Sequence, residues 1–303
     1  MAATSTRDPG ATTDLAAVAR QGRLLVMESV ANAGAGHLGG PLSAMDLLVA
    51  LCFWVLRIDP QCPDWPERDR FILSKGHCAI GLYAAMAMRG YFAVAELAAF
   101  EHAGSGLKGH PDATRLPGFD ASTGSLGQGL SIGVGMAMGA RRFGLDNHTW
   151  VLLGDGEMQE GQVRGTVPMA AKYGLGNLTA IVDRNGMQQY GWPLYPGEQH
   201  RGDRRDPSGG TAVRGVFESF GWRVIEVDGH DFDSILAACV DARAAVAGTV
   251  PTVILARTVK GRGFRLTEGI SELHSRVATV ASDLTADKVA SRVRGTLSTA
   301  RQL

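Results

Sequence analysis

The sequence predicts an α/β fold, a parallel sheet flanked by helices, on three observations. From Asp14 onward, apolar stretches at helical spacing alternate with short β-branched runs, and glycine punctuates each transition. Two runs, 149–153 (TWVLL) and 178–182 (LTAIV), carry no charge and end in polar turns, as strands buried on both faces do. The stretch 160–173 between them fits a crossover helix, which would set the two strand ends side by side at one edge of the sheet.

The elements follow in order. Residues 1–13 are small and polar and read as a flexible tail, with 14–303 as one domain. Residues 15–31 repeat apolar side chains at helical spacing, and Pro41 opens a second helix that ends before Asp59-Pro60. A short strand is expected at 70–74, a helix rich in Ala and Met at 77–89, and another helix at 94–102. In the helix that begins within TGSLGQGLSIGVGMAMGARR, Gly129, Gly133, Gly135 and Gly139 permit close packing, either within the chain or against a second chain. Two more strands, 222–227 and 251–258, bracket a helix at 232–246. A basic amphipathic helix is expected from Thr285, and the segment 197–215 reads as an exposed loop.

Composition narrows the function. Lys and Arg number 30 against 30 Asp and Glu, which argues against a nucleic-acid or anionic-membrane partner. With 45% hydrophobic and 20% charged residues, the chain can bury enough apolar surface to offset its ordering entropy. The longest uncharged apolar run, 47–56, falls short of the roughly 20 residues a membrane helix needs. The N-terminus has no apolar stretch after a basic start, so a cytoplasmic location is expected. Cys52, Cys62, Cys78 and Cys239 lack CxxC spacing and read as free, buried thiols.

Chemistry concentrates at the two central strand ends. Gly154-Asp155-Gly156 follows the first, Asp183-Arg184-Asn185-Gly186 the second, and 28 residues separate Gly156 from Asn185. The spacing brings a carboxylate and a carboxamide together, oxygen ligands suited to Mg²⁺, which takes few protein carboxylates and completes its shell with phosphate and water. The glycines let backbone approach that phosphate, and a helix starting near Glu157 would turn its positive end to it. This strand, GDG, helix, strand, Asn arrangement is the signature of a thiamine diphosphate site. Separately, His37, His77, His110 and His230 all directly follow glycine. The first three suit proton carriers in loops beside such a site. His102, His148 and His200 read as solvated, and His230 as a turn residue.

With these motifs in place, the chain resembles the N-terminal, diphosphate-binding half of transketolase. The resemblance rests on GHLGGPLSAMDLL, DPQCPDWPERDRFILSKGH, KGHPD, LPGFDASTGSLGQGLSIGVGMAMGAR, VLLGDGEMQEGQ, LTAIVDRNGMQ, GWRVIEVDGHD and TVKGRG, in family order across 20–275. It implies that Asp155, Asn185 and the Met187 carbonyl hold Mg²⁺. Gly156, His77 and His274 would hold the diphosphate, Gly154 and Glu157 would belong with them to the cofactor-binding residues, Lys75 and Lys260 would line the cofactor and substrate channel, and the backbone of Gly124, Ser125 and Leu126 would meet the aminopyrimidine. His37 and His110 match histidines that contact the sugar's hydroxyls, and with His77 and His274 form the catalytic set.

The resemblance also implies the reaction, transfer of a two-carbon ketol unit from a ketose or its phosphate to an aldose. The catalytic glutamate that faces the aminopyrimidine lies in the family's pyrimidine-binding half, so a separately encoded C-terminal subunit is expected as partner, in a heterotetramer. Three departures stand out. Arg164-Gly165 replaces the family's Trp-Glu, which removes a glutamate linked to communication between paired sites. ELHSR stands where His-Gly is common, which weakens the match of His274. The 197–215 loop is long and charged: a solvent loop, or a dock for an unusual acceptor such as a carrier-protein-bound group. Two alternatives to a sugar transketolase therefore stand beside it, two-carbon transfer to a non-sugar or carrier-bound acceptor, and a non-catalytic scaffold.

Overall fold

Strand β2 (Thr149–Gly154) and strand β3 (Leu178–Arg184) lie side by side in parallel, with Gly154 in register with Asp183. Around this pair the computed structural model builds a five-stranded, all-parallel sheet, describing residues 13–187, 210–244, 249–264 and 268–269. Strand β1 (Arg70–Leu73) joins β2 on one side; on the other, β3 is followed by β5 (Thr252–Arg257) and then β4 (Arg223–Asp228).

The strands show why both faces must be covered. In β2, Val151 and Leu153 enter one apolar cluster while Trp150 and Leu152 enter another; β5 divides Val253 and Leu255 from Ile254 and Ala256 in the same way. On the first face lie α4 (Gln128–Arg142), α5 (Gly161–Lys172) and α6 (Gly210–Ser219), which contribute Leu130, Val134, Val163, Val167 and Phe217. On the other lie α2 (Gly39–Ala50), α3 (Ala79–Arg89) and α7 (Phe232–Ala244). Helix α1 (Leu15–Ala33) packs outside α2 and α3 as a further layer. Every residue of α2 is buried, as expected of a helix covered on all sides.

Several boundaries differ from the sequence expectation. The helix expected at 94–102 is a 3₁₀ segment, Val94–Ala99, tied by Glu96 Oε1 accepting from the Ala93 N–H at 3.0 Å. The helix opened by Pro41 ends at Ala50 and gives way to a π-helical turn, Leu51–Val55. The α-helix expected near Glu157 starts at Gly161; Gly156–Gln159 is a 3₁₀ turn. Gly210–Gly215, read as loop, opens α6, whose Val213 and Phe217 are buried. The glycine-rich helix α4 answers its own packing question residue by residue. A Cβ on Gly129 or Gly133 would strike Ser74 or Val151, whereas Gly135 and Gly139 have open space outside. Cys62 is exposed, unlike the other three cysteines. His148 is buried just before β2, its ring against Trp150, and not solvated. His274, His200, the segment 197–209 and the helix expected from Thr285 lie outside the described residues. No helix among the described residues is long and apolar enough to cross a membrane.

Candidate active site

The carboxyl ends of parallel strands, where a chain leaves the sheet in opposite directions, form the usual crevice of an open α/β sheet. Here that crevice collects Ser74 and Lys75 after β1, Gly154 and Asp155 at β2, Asp183 and Asn185 at β3, and Thr258 to Lys260 after β5.

Asp155 and the Asn185 turn are joined directly. The Gly186 N–H donates to Asp155 Oδ2 at 2.7 Å, the Gly156 N–H to Oδ1 at 2.9 Å, and the Met187 N–H to Asn185 Oδ1 at 3.1 Å. Gly186 has φ +73°, a left-handed conformation that glycine adopts without strain and that folds the turn back onto Asp155. The Asn185 amide nitrogen faces Asp183 Oδ2 at 3.4 Å, so its oxygen turns toward Met187. Asp155 is buried, and that burial, with Asp183 second, pushes its carboxyl up to about 6. Among the described residues no three His, Cys, Asp or Glu side chains stand together at metal-ligand spacing. What the two turns bring together instead is the Asp155 carboxylate and the Asn185 amide oxygen, hard oxygens of the kind a divalent cation completed by phosphate and water takes.

Asp183, to which the sequence pattern assigns no role, is the best-connected group of the site. It is fully buried and accepts from Lys75 Nζ, from Thr258 Oγ1 and from Ser43 Oγ, the last at 2.6 Å. Burial would raise its carboxyl, but Lys75 and the hydroxyl donors outweigh it and hold the group below the usual carboxylate range. For Lys75, burial opposes the charge and Asp183 restores it, leaving the ammonium firmly protonated. The Lys75 side chain reaches Asp183 past Gly154, where a Cβ would stand 3.7 Å from its Cδ.

Glu157 turns into the protein. Its Oε1 accepts from Ser74 Oγ at 2.5 Å and from the Gly127 N–H at 2.7 Å, and its Oε2 accepts from the Gly154 N–H at 3.1 Å. It thereby ties β1, β2 and the loop before α4 together. That loop carries Gly124, Ser125 and Leu126. Gly76 packs against its backbone, where a Cβ would be 2.8 Å from the Gly124 nitrogen, and Gly124 in turn faces the His110 ring.

Three of the expected histidines meet here. The His37 ring lies 5.3 Å from that of His77 and 6.4 Å from that of His110, centroid to centroid. Burial lowers His37, helped by His110 and Lys260, so its ring is neutral at physiological pH and able to accept a proton. Lys260 lies along Gly39, where a Cβ would be 3.0 Å from its Cγ and Cε, and His77 faces Gly40 in the same way at 3.1 Å. Burial brings the Lys260 ammonium down to about 8. The result is a cradle with backbone at Gly39, Gly40, Gly76 and Gly154, two lysines and three imidazoles around Asp155 and Asn185. Its shape and charge suit a phosphate-bearing cofactor that arrives with a divalent cation. Of the site residues expected from the sequence, only His274 lies outside the described part of the chain.

Residues 15–294 match the family model described as transketolase, thiamine diphosphate binding domain. Over 258 residues the chain is 39% identical to a 6-deoxy-6-sulfo-D-fructose transketolase subunit of Clostridium sp. (strain MSTE9), covering 84% of this chain and 87% of that protein. It is 36% identical over 259 residues to one of the subunits of the apulose-4-phosphate transketolase of Phocaeicola vulgatus, covering 85% and 86%. Of the relatives named simply as transketolases it spans much less. It covers 36% of transketolase 2 of Xanthobacter flavus at 37% identity. The crystal structure of the Pichia stipitis transketolase complex with sedoheptulose 7-phosphate superimposes with a TM-score of 0.78 at 29% identity, over 95% of this chain and 44% of that one.

Proposed function

The chain belongs to the transketolase family, through its thiamine diphosphate-binding domain, and from that premise we propose that it is the cofactor-holding subunit of a two-subunit transketolase. The observation that carries this reading is the tie between the two strand-end turns, the Gly186 N–H on Asp155, which sets the carboxylate beside the Asn185 amide.

When bound, thiamine diphosphate supplies a nucleophilic carbon that attacks a ketose carbonyl and lets the adjoining C–C bond break. The work of this chain is to hold and surround it. Asp155, Asn185 and the Met187 carbonyl would hold Mg²⁺; Gly156 and His77, with His274, would hold the diphosphate; and the backbone of Gly124, Ser125 and Leu126 would meet the aminopyrimidine. Lys75, locked to Asp183, keeps one positive charge fixed in the cradle, and Lys260 adds a second. His37 and His110 bind sugar hydroxyls and move protons there, for which a neutral His37 is suited.

A separate subunit supplies the pyrimidine-binding half with its glutamate. Support comes from the relatives named as transketolase subunits, which this chain matches over 84% and 85% of its own length and 87% and 86% of theirs. The named substrates of those two relatives carry a terminal sulfonate and a terminal phosphate, so the donor here is a ketose with a terminal anion. The assay is ketol transfer by the chain co-purified with its partner, using phosphorylated, sulfonated and neutral ketose donors with aldose acceptors or a carrier-protein-bound aldehyde. Transfer to an aldose from an anionic donor is expected. Transfer to the carrier-bound acceptor alone would move the enzyme out of sugar metabolism, and no transfer from any donor would refute the reading.

A further inference from the structure

His230 sits in the turn after β4, with its own N–H donating to Asp228 Oδ1 at 2.9 Å. Its ring is not a solvent-facing turn side chain. Nδ1 lies 2.6 Å from Asp46 Oδ2 in α2, and Nε2 lies 2.8 Å from the Val259 backbone nitrogen. A backbone N–H can only donate, so Nε2 must carry the lone pair; the proton is then on Nδ1 and donates to Asp46. Asp46, itself buried, accepts from Arg23 Nη1 and Nη2 at 3.0 and 2.6 Å, and Arg23 Nε donates to the Leu42 carbonyl at 3.3 Å. Donor meets acceptor at every link from α1 through α2 and the β4 turn to the segment after β5. That segment is Val259-Lys260-Gly261, whose Gly261 N–H also donates to the Gly39 carbonyl at 3.0 Å. The relay shares no residue with the metal-ligand set and meets the cradle through the Val259-Lys260-Gly261 segment.

We propose that His230, held as its Nδ1–H tautomer by Asp46 and Arg23, is a positioning residue that fixes the Val259 backbone and so sets where Lys260 stands at the cofactor site. The proposal deepens the functional reading above and rests on it for the role of Lys260. The ring's two contacts can be separated by substitution. In His230→Gln an amide oxygen stands near the place of Nε2 and can accept from Val259, but nothing replaces the Nδ1 donor. In His230→Asn the amide nitrogen stands near the place of Nδ1 and can donate to Asp46, but Val259 loses its acceptor. His230→Phe removes both.

Hydrogen exchange at the Val259 and Gly261 amides of the cofactor-free chain should speed up about 10-fold in the Asn and Phe variants, the scale of one lost hydrogen bond, and stay within about 3-fold of wild type in the Gln variant. The affinity for Mg²⁺ and thiamine diphosphate should follow the same order. Long-range ¹H–¹⁵N correlation on the wild-type chain should show the Nδ1–H tautomer. An Nε2–H tautomer, or an Asn variant that exchanges like wild type while the Gln variant does not, would overturn the positioning. If exchange divides the variants as expected but cofactor affinity is the same in all of them, the link to Lys260 is overturned. Should the wild-type chain bind no thiamine diphosphate, the reading of the site falls instead, and the exchange and tautomer results still decide the positioning by themselves.

Discussion

Asp183→Asn is the sharpest test of how the site is built. The substitution keeps the size of the side chain and removes one charge from a pair in which Lys75 and Asp183 are only 2% and 0% exposed. Lys75 would be left as a buried ammonium with a neutral partner. Removing one member of a buried pair typically costs about 3–5 kcal/mol. At roughly 2–4 °C per kcal/mol for a chain of this size, the melting temperature should drop by about 6–20 °C. Lys75→Met should cost less, because the Asp183 carboxylate keeps Ser43 and Thr258 as donors. The double substitution Lys75→Met/Asp183→Asn should be less damaging than the sum of the two, with a coupling on the order of 1–3 kcal/mol. Urea unfolding followed by far-UV circular dichroism measures all three. Two single variants that each lose under about 1 kcal/mol and add within about 0.5 kcal/mol would show that the pair is not the anchor described here.

Two further outcomes follow from the same geometry. His148 is buried with Nε2 beside Thr179 Oγ1, and burial first, then Arg243, push its imidazole down to about 3. In the unfolded chain it protonates near 6.5, so below that pH the unfolded state binds the extra proton; stability is complete above pH 6.5 and falls toward pH 3. At pH 5 this residue alone should cost about 2 kcal/mol, and His148→Gln should flatten the slope of stability against pH between 4 and 6.5 whatever its absolute stability. An unchanged slope would mean the ring titrates normally. Glu157→Ala leaves the Gly127 and Gly154 amides without an acceptor, which should destabilise the chain by about 2–4 kcal/mol. A cofactor affinity lowered in step with that loss, with Glu157→Gln intermediate, is expected from calorimetric titration. Full affinity in the Ala variant would contradict its part in holding the 124–127 loop.

Much of this molecule could be read from sequence because its chemistry is local to strand ends. The pairing of β2 with β3, and with it the nearness of Asp155 and Asn185, follows from two uncharged β-branched runs around a single crossover helix. The parts that could not be read depend on contacts far apart in the chain. Asp183 meets partners 140, 108 and 75 positions away, and in sequence it is only the first residue of a polar turn. The one available signal was a carboxylate placed where a fully buried strand ends. His230 reaches Asp46 across 184 positions, so its Gly-His-Asp setting looked like an ordinary turn. His148 follows Asp146-Asn147, a polar stretch, but the His148 N–H donates to buried Asp69 Oδ1, which draws the residue into the interior. The segment 94–102 had helical composition without the length to hold an α-helix, and it closes as a 3₁₀ turn instead.

Whether this chain holds Mg²⁺ and thiamine diphosphate through Asp155 within a two-subunit enzyme is tested most directly by native mass spectrometry. The chain is purified from its own host with both added, and Asp155→Ala is carried alongside. The expected result is a complex with a second subunit that carries the cofactor mass in wild type and lacks it in Asp155→Ala. A chain that flies alone and without cofactor at saturating concentrations, or an Asp155→Ala complex that keeps the cofactor, would contradict it.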